Sequence, residues 1–199
     1  MSTKWGVFIG RMQPVHNGHL FLIKKALEEN DRVLILLGSS NKRGTIRNPL
    51  DYISRKHLLE FALEEDIEID KKRITISTLP DWTMESDKDS GKTWGRYLYY
   101  NIVSRIECKQ FSLYYSDDAS ILDDWFEGTE VRQHINYRCI GREYIFDGLS
   151  ATKIRQALLD ENKEYVERCC PNIVARNFGL LSKIYKEVVD NPKEDFELD

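Results

Sequence analysis

Gly10-Arg11-Met12-Gln13-Pro14-Val15-His16-Asn17-Gly18-His19-Leu20 follows the short apolar run Trp5–Gly10 and leads into a segment with Leu20, Ile23 and Leu27 on one helical face. A buried strand that passes through a short loop into an amphipathic helix is the opening unit of an α/β fold. The helix begins near Asn17, and residues three apart share a face, so His16 and His19 point to the same side. The unpaired N–H groups of the first turn lie beside them at the positive end of the helix dipole. That corner is a seat for an anion.

Charge order along the segment points the same way. Carboxylates favour the first turn of a helix and cations the last, yet here the histidines come first and Glu28 and Glu29 come last. A bound anion would account for the reversal. An isolated His-x-x-His also has blander readings, as a polar helix end or half of a metal site. Zinc is poorly supported, because no glutamate follows the first histidine and the four cysteines form no Cys-x-x-Cys pair. Metal ligands on the protein are therefore left unassigned.

Outward from this turn, apolar β-branched runs at Trp5–Gly10, Arg32–Gly38, Arg73–Leu79, Phe111–Ser116 and Ile135–Ile140 alternate with helical patterns at Asn17–Asn30, Asp51–Glu65, Trp94–Glu107, Ser120–Phe126 and Ser150–Asp160. Such alternation predicts a central parallel sheet with helices on both faces. Ligands of these sheets sit beyond the carboxyl ends of the strands, where the winding reverses. The histidine turn, Gly38-Ser39-Ser40 and Ser150 each follow a strand, so their loops are expected to converge on one cleft. Helical pattern resumes from about residue 162, broken by Pro171, and packs back on the domain or on a neighbouring subunit, which leaves a homo-oligomer open. Residues 1–189 are expected to form one domain, with 190–199 an acidic, disordered tail.

The chain has 199 residues and a formal net charge of −4. No broad basic field speaks for nucleic acid. No apolar stretch approaches membrane-spanning length, and the N-terminus lacks a leader pattern, so no membrane is expected and the protein is expected in the cytoplasm. Cys108, Cys139, Cys169 and Cys170 have no disulfide-framework spacing and are expected to be reduced and mostly buried.

A second helix start repeats the oddity of the first. Ser150 is a good N-cap, but the third helical position is Lys153, where a capping box has Glu or Gln. Cations there again ask for an anion. Between the two lies Ser39–Asn48, with Lys42, Arg43, Gly44 and Arg47, where glycine lets backbone approach a ligand and an arginine can grip phosphate. Taken alone, Lys42-Arg43 reads as a solvated pair. Gly10 and Gly38 would let a ligand lie against the strand ends.

Gly-Arg-x-Gln-Pro-x-His-x-Gly-His resembles the signature of the HxGH nucleotidyltransferase superfamily, in the spelling of archaeal-type nicotinamide mononucleotide (NMN) adenylyltransferases. Gly38-Ser39-Ser40, Thr45-Ile46-Arg47-Asn48-Pro49-Leu50 and Arg55 match that family's second loop. Ser150-Ala151-Thr152-Lys153-Ile154-Arg155 is similar to the superfamily's other hallmark. Asp118-Ala119-Ser120 with Leu122 and Phe126 resembles bifunctional members that carry a Nudix hydrolase, though no second catalytic domain is expected within these residues.

The resemblance implies a Rossmann-like α/β nucleotidyltransferase that joins ATP and NMN into NAD and pyrophosphate, with Mg²⁺ bridging the ATP phosphates. It implies catalytic roles for His16, His19 and Arg155, and ATP contacts from Gly10, Arg11, Gln13, Gly18, Arg47, Ser150, Thr152 and Lys153. Ser39, Asn48, Asp81 and Trp94 would meet the acceptor. Family members place an aspartate after the third strand and a stacking tryptophan beyond it; Asp81 and Trp94 fit, with Trp82 a rival. The interval Trp82–Thr93 is longer than usual, its part Met84–Lys92 reads as a lid or plain surface, and Asp117-Asp118-Ala119 replaces the family's Gly-Asn-Pro. Other phosphorylated acceptors (nicotinic acid mononucleotide, phosphopantetheine, FMN, a polyol phosphate), a non-catalytic nucleotide sensor and a metal-binding module are the rival readings.

Overall fold

The computed structural model describes residues 3–65, 70–82, 90–116, 120–141 and 149–193. Five parallel strands, β1 (Trp5–Gly10), β2 (Arg32–Gly38), β3 (Ile74–Leu79), β4 (Phe111–Tyr115) and β5 (Ile135–Cys139), form one sheet in the order β3-β2-β1-β4-β5. Helices α1 (Asn17–Glu29), α2 (Tyr52–Glu65), α3 (Ser90–Ile106), α4 (Ser120–Phe126) and α5 (Ala151–Leu159) separate or follow the strands. Winding runs outward from β1 to β3, then returns through α3 to lay β4 on the other side of β1. The switch between β1 and β4 is where such sheets open a crevice.

Strand periodicity explains why β1 and β2 lie in the middle. Val33, Ile35 and Leu37 pack on one face with α1, α2 and α5, while Leu34 and Leu36 pack on the other with α3 and α4. A strand buried on both faces reads as a continuous apolar run, and Val33–Leu37 is one. Pairing of Gly10 with Leu37 and of Gly38 with Leu79 aligns the carboxyl ends of three strands. The loops that follow them therefore leave the sheet side by side.

Helix α3 starts at Ser90, several residues before the expected Trp94. Gly91 and Lys92, expected in a lid or plain surface, belong to this helix, whereas residues 84–89 of that segment lie outside the described residues. The added turn packs closely on α4: a Cβ on Gly91 would stand 3.0 Å from the Asp124 carbonyl oxygen, and one on Gly95 only 2.0 Å from that of Trp125. The missing side chains let the two helices touch backbone to backbone. Residues 117–119, including the Asp117-Asp118-Ala119 departure, are also outside the described residues.

The C-terminal pattern forms α6 (Lys163–Cys169), α7 (Asn172–Arg176) and α8 (Phe178–Asp190), with Pro171 starting α7. They pack back on the same chain, α8 along α5 and α7 against α2. The tail from 194 lies outside the described residues. All four cysteines are free, with Cys169 and Cys170 buried; Cys139 is exposed and Cys108 half-buried, so burial holds for two of the four. Among the described residues no helix is long and apolar enough to cross a membrane.

Candidate active site

A cleft of about 480 Å³ opens at the switch point. Gly10, Arg11, Gln13, His16, Gly18, His19, Ser39, Asp81, Trp94, Ser150, Thr152 and Arg155 all stand in its wall, drawn from loops far apart in sequence. The N-terminal turns of α1 and α5 both face it. Two helix dipoles and their unpaired N–H groups thus converge on one space.

His16 precedes α1, and its ring stacks on that of His19 at 3.7 Å with 21° between the planes. The His16 backbone N–H donates to His19 Nδ1 at 3.2 Å. An Nδ1 that accepts carries no proton, so neutral His19 holds its hydrogen on Nε2. Burial holds the His19 pKa well below its ordinary value, and the neighbouring His16 lowers it further. The two imidazoles therefore do not supply two positive charges. His19 is a neutral hydrogen-bond donor at the head of a helix, and the cations of the corner are arginines.

Arg155 lies on the first turns of α5, with its guanidinium donating to Thr152 Oγ1 at 3.0 Å. Burial lowers its pKa, but an arginine remains charged at neutral pH. Ser150 caps the helix by accepting from the Lys153 N–H. Behind this turn Tyr185 of α8 is fully enclosed at 2% exposure, and among the described residues its hydroxyl has no hydrogen-bond partner. Burial pushes its pKa up, while the charges of Arg155 and Arg55 pull it down.

Sequence reading picked out Arg55 as part of a motif but assigned it no place in the site. It is 0% exposed and donates to the carbonyls of Arg11 at 2.6 Å, Gly38 at 2.8 Å, Ser39 at 3.1 Å and Asp51 at 3.3 Å. Burial lowers its pKa to about 10, which leaves it a cation. Met12 at φ 49° and Ser39 at φ 50° adopt the left-handed region just past the ends of β1 and β2. Non-glycine residues persist there only when their surroundings over-determine them. Arg55 pins the carbonyls on either side. Gln13 adds a second tie, its amide donating to Leu50 O and accepting from Leu50 N, both at 2.9 Å. The amide of Gln13 is thus spent on fastening two loops together.

At the other end of the cleft Asp81 accepts from Ser39 Oγ at 3.0 Å and pairs with Lys42 at 3.5 Å. Lys42 is therefore no solvated bystander, because the end of β3 brings a carboxylate within its reach. Trp94 lies edge-on to Trp125 at 6.3 Å and beside Tyr97 at 5.3 Å. Trp125, Tyr115 and Ser116 join the wall although sequence reading missed them. No local signal marks Trp125; the Gly95 contact brings it there. Trp82 is half-exposed and stands against Tyr97, outside the wall.

Three expected site residues stand back from the wall. Asn48 is buried in a tight turn with Thr45, its N–H donating to Thr45 O at 3.1 Å and Oγ1 at 3.0 Å. Arg47 is exposed at the tip of that turn, and Lys153 is exposed on α5. Among the described residues no group of three or more His, Cys, Asp or Glu is placed to hold a metal.

Residues 7–157, from β1 into α5, match the cytidylyltransferase-like family. The chain is a nucleotidyltransferase of that family. It stands with the archaeal nicotinamide-nucleotide adenylyltransferases: that of Thermococcus kodakarensis is 31% identical over 159 residues, 79% of this chain and 74% of that protein. The Saccharolobus solfataricus protein of the same name is 37% identical over 93 residues, 47% of this chain and 50% of that one. In fold, this nucleotidyltransferase is similar to a bifunctional NMN adenylyltransferase/ADP ribose pyrophosphatase of Francisella tularensis, solved with AMP and manganese. The TM-score is 0.66 at 21% identity, over 95% of this chain and 52% of that one. The NadR protein solved with NAD and AMP-PNP gives 0.61 at 21% identity, over 87% of this chain and 46% of that one.

Proposed function

We propose that the protein transfers AMP from ATP to nicotinamide mononucleotide, forming NAD and releasing pyrophosphate. The observation that carries this reading is the convergence of two helix N-termini, the Nε2–H of His19 and the guanidinium of Arg155 on one cleft. Such a corner suits a polyphosphate. The archaeal relatives supply the acceptor, since they are named for a nicotinamide nucleotide.

The acceptor's phosphate attacks the α-phosphorus of ATP in line, forming one P–O bond as the bond to pyrophosphate breaks. A phosphate monoester is already ionised near neutral pH, its second pKa being about 6. No general base is needed, and rate comes from positioning and from donors aimed at the charge that develops. His19 donates to a phosphate oxygen through Nε2, and His16 holds its ring in that orientation. Arg155, with Arg11 and the N–H groups of Gly18 and Thr152, offsets the charge of the phosphates and the departing pyrophosphate. Gly10 leaves room beside the strand end, Lys153 and Ser150 hold the start of α5, and Arg47 grips ATP from a loop anchored on the cleft at Ser39 and at Leu50. The acceptor lies toward Ser39, Asp81 and Trp94, where an indole face suits a cationic pyridinium, and Asn48 shapes the loop over it.

Mg²⁺ is assigned to the substrate. The cleft's carboxylate, Asp81, is engaged by Lys42 and Ser39, and the phosphate end offers arginine and imidazole, so the ATP oxygens and water are the fitting ligands for a hard cation. When bound, the ion would neutralise charge on the triphosphate. Residues 1–189 act as one catalytic domain, and a reducing cytoplasm fits four free cysteines.

The deciding assay offers ATP and Mg²⁺ with a panel of phosphorylated acceptors, follows pyrophosphate, and identifies the product by mass. NAD from the nicotinamide nucleotide is the expected product. Pyrophosphate released faster with nicotinic acid mononucleotide, phosphopantetheine, FMN or a polyol phosphate would overturn the acceptor. ATP binding with no turnover on any acceptor would leave a sensor.

A further inference from the structure

Past α8 the chain returns to the loop that carries Arg47. The loop folds on itself as a small hairpin: Gly44 N–H donates to Pro49 O at 3.3 Å, Thr45 N–H to Asn48 O at 3.3 Å, and Asn48 N–H back to Thr45 O at 3.1 Å. Ile46 and Arg47 form its exposed tip. The hairpin's outer carbonyl, Gly44 O, accepts from the Lys193 N–H at 2.9 Å. Gly44 has φ +68°, and a Cβ there would stand 3.1 Å from Lys193 Cδ and 3.3 Å from its Cγ. The lysine stem therefore lies across the bare α-carbon. Positive φ and this close contact both call for glycine.

Local chemistry brings this about. Asn191 N–H closes the last turn of α8 on Glu187 O. Pro192 cannot extend the helix and has no N–H to donate, so the next donor the chain presents is that of Lys193. The same helix places Tyr185 behind Arg155 and Arg55. One element thus backs the arginine on α5 and, through its extension, fastens the loop with the other.

We propose that Lys193 is a positioning residue for ATP: its backbone N–H and stem strap the 44–49 hairpin so that Arg47 is presented to the triphosphate at a fixed height above the cleft. This rests on the proposed role of Arg47. The acceptor end meets this loop at its other end, where Ser39 and Lys42 hold Asp81, so loosening the tip that carries Arg47 should weaken ATP more than the acceptor.

The experiment compares full-length Lys193→Pro, which removes the donor, with Lys193→Ala, which keeps it, and with Arg47→Ala. Steady-state constants are measured for ATP and for the nicotinamide nucleotide, together with Tm and the rate of tryptic cleavage after Arg43 read by mass. Loss of one such bond should raise the KM for ATP about 2- to 10-fold in Lys193→Pro. Acceptor KM should change less than that for ATP and Tm should hold, cleavage after Arg43 should speed up, and Lys193→Ala should show a smaller change. Unchanged ATP dependence and unchanged cleavage in Lys193→Pro, with Arg47→Ala still raising the KM for ATP, would overturn the strap and spare Arg47. A lowered Tm with equal changes for both substrates would make Lys193 merely structural and also overturn it. If Lys193→Pro raises the KM for ATP while Arg47→Ala does not, the strap stands and acts through another residue of the hairpin.

Discussion

His19 is a donor because its other nitrogen is occupied. The bond from the His16 N–H to Nδ1, the stacked ring beside it and burial all oppose a second proton, so the histidine works uncharged. Replacing His19 with asparagine or alanine should lower kcat about 10²- to 10³-fold, as loss of one preorganised donor does elsewhere, while the protein stays folded. A stability signature accompanies it. Below the ordinary histidine pKa of about 6.5 an unfolded chain binds a proton that native His19 refuses. The stability due to neutral His19 is thus complete above about pH 6.5 and is lost as pH falls toward the lowered native pKa. Thermal unfolding against pH should therefore slope less steeply on the acid side in His19→Asn than in the parent. Equal slopes would mean that the imidazole is already protonated in the native state.

Among the elements, α2 does more than cover the sheet. Asp51 caps it by accepting from Ser54 N–H at 2.8 Å, and one turn on, Arg55 reaches back to the ends of β1 and β2. Three carbonyls there depend on one guanidinium, and two residues beside them hold left-handed backbone. Each buried polar group left unpaired costs about 1–3 kcal/mol. Arg55→Leu should therefore lower unfolding free energy by about 3 kcal/mol or more in urea titrations. Arg55→Lys, a compact ammonium without the fork, should recover only part of that and should bind ATP less tightly. Wild-type stability in Arg55→Leu would show that the strand ends keep their shape unaided.

The whole molecule assembles the phosphate end of its site from three stretches that share no local contact in sequence: residues 10–19, 38–48 and 150–155. Doubly wound topology puts them at one edge of the sheet. Binding of a non-hydrolysable ATP analogue with Mg²⁺ should slow amide hydrogen exchange in the first turns of α1 and α5 together, with the 44–49 hairpin protected in step. Exchange at the opposite edge of the sheet, around Lys4, Gln110 and His134, should not change. Protection confined to one helix start would break the claim that the two N-termini share a ligand. Because a ligand that binds only the native state stabilises it by mass action, Tm should rise with analogue concentration as well.

Much of this was legible along the chain. Continuous apolar runs such as Val33–Leu37, alternating with helical periods, specify a parallel sheet, and the two basic, carboxylate-free helix starts specify an anion site, since both signals depend only on residue type and spacing. What tertiary structure decided depends on distance between residues remote in sequence. The neutrality of His19 follows from burial and from a ring 3.7 Å away, the engagement of Lys42 from the end of β3, and the place of Trp125 from a glycine on another helix. Arg55 reads in sequence only as the last residue of a loop motif; a fold that buries it against the carbonyls of Arg11, Gly38 and Ser39 turns it into the pin of the cleft. Periodicity is a property of neighbours along the chain, whereas desolvation and hydrogen-bond partnership are properties of neighbours in space.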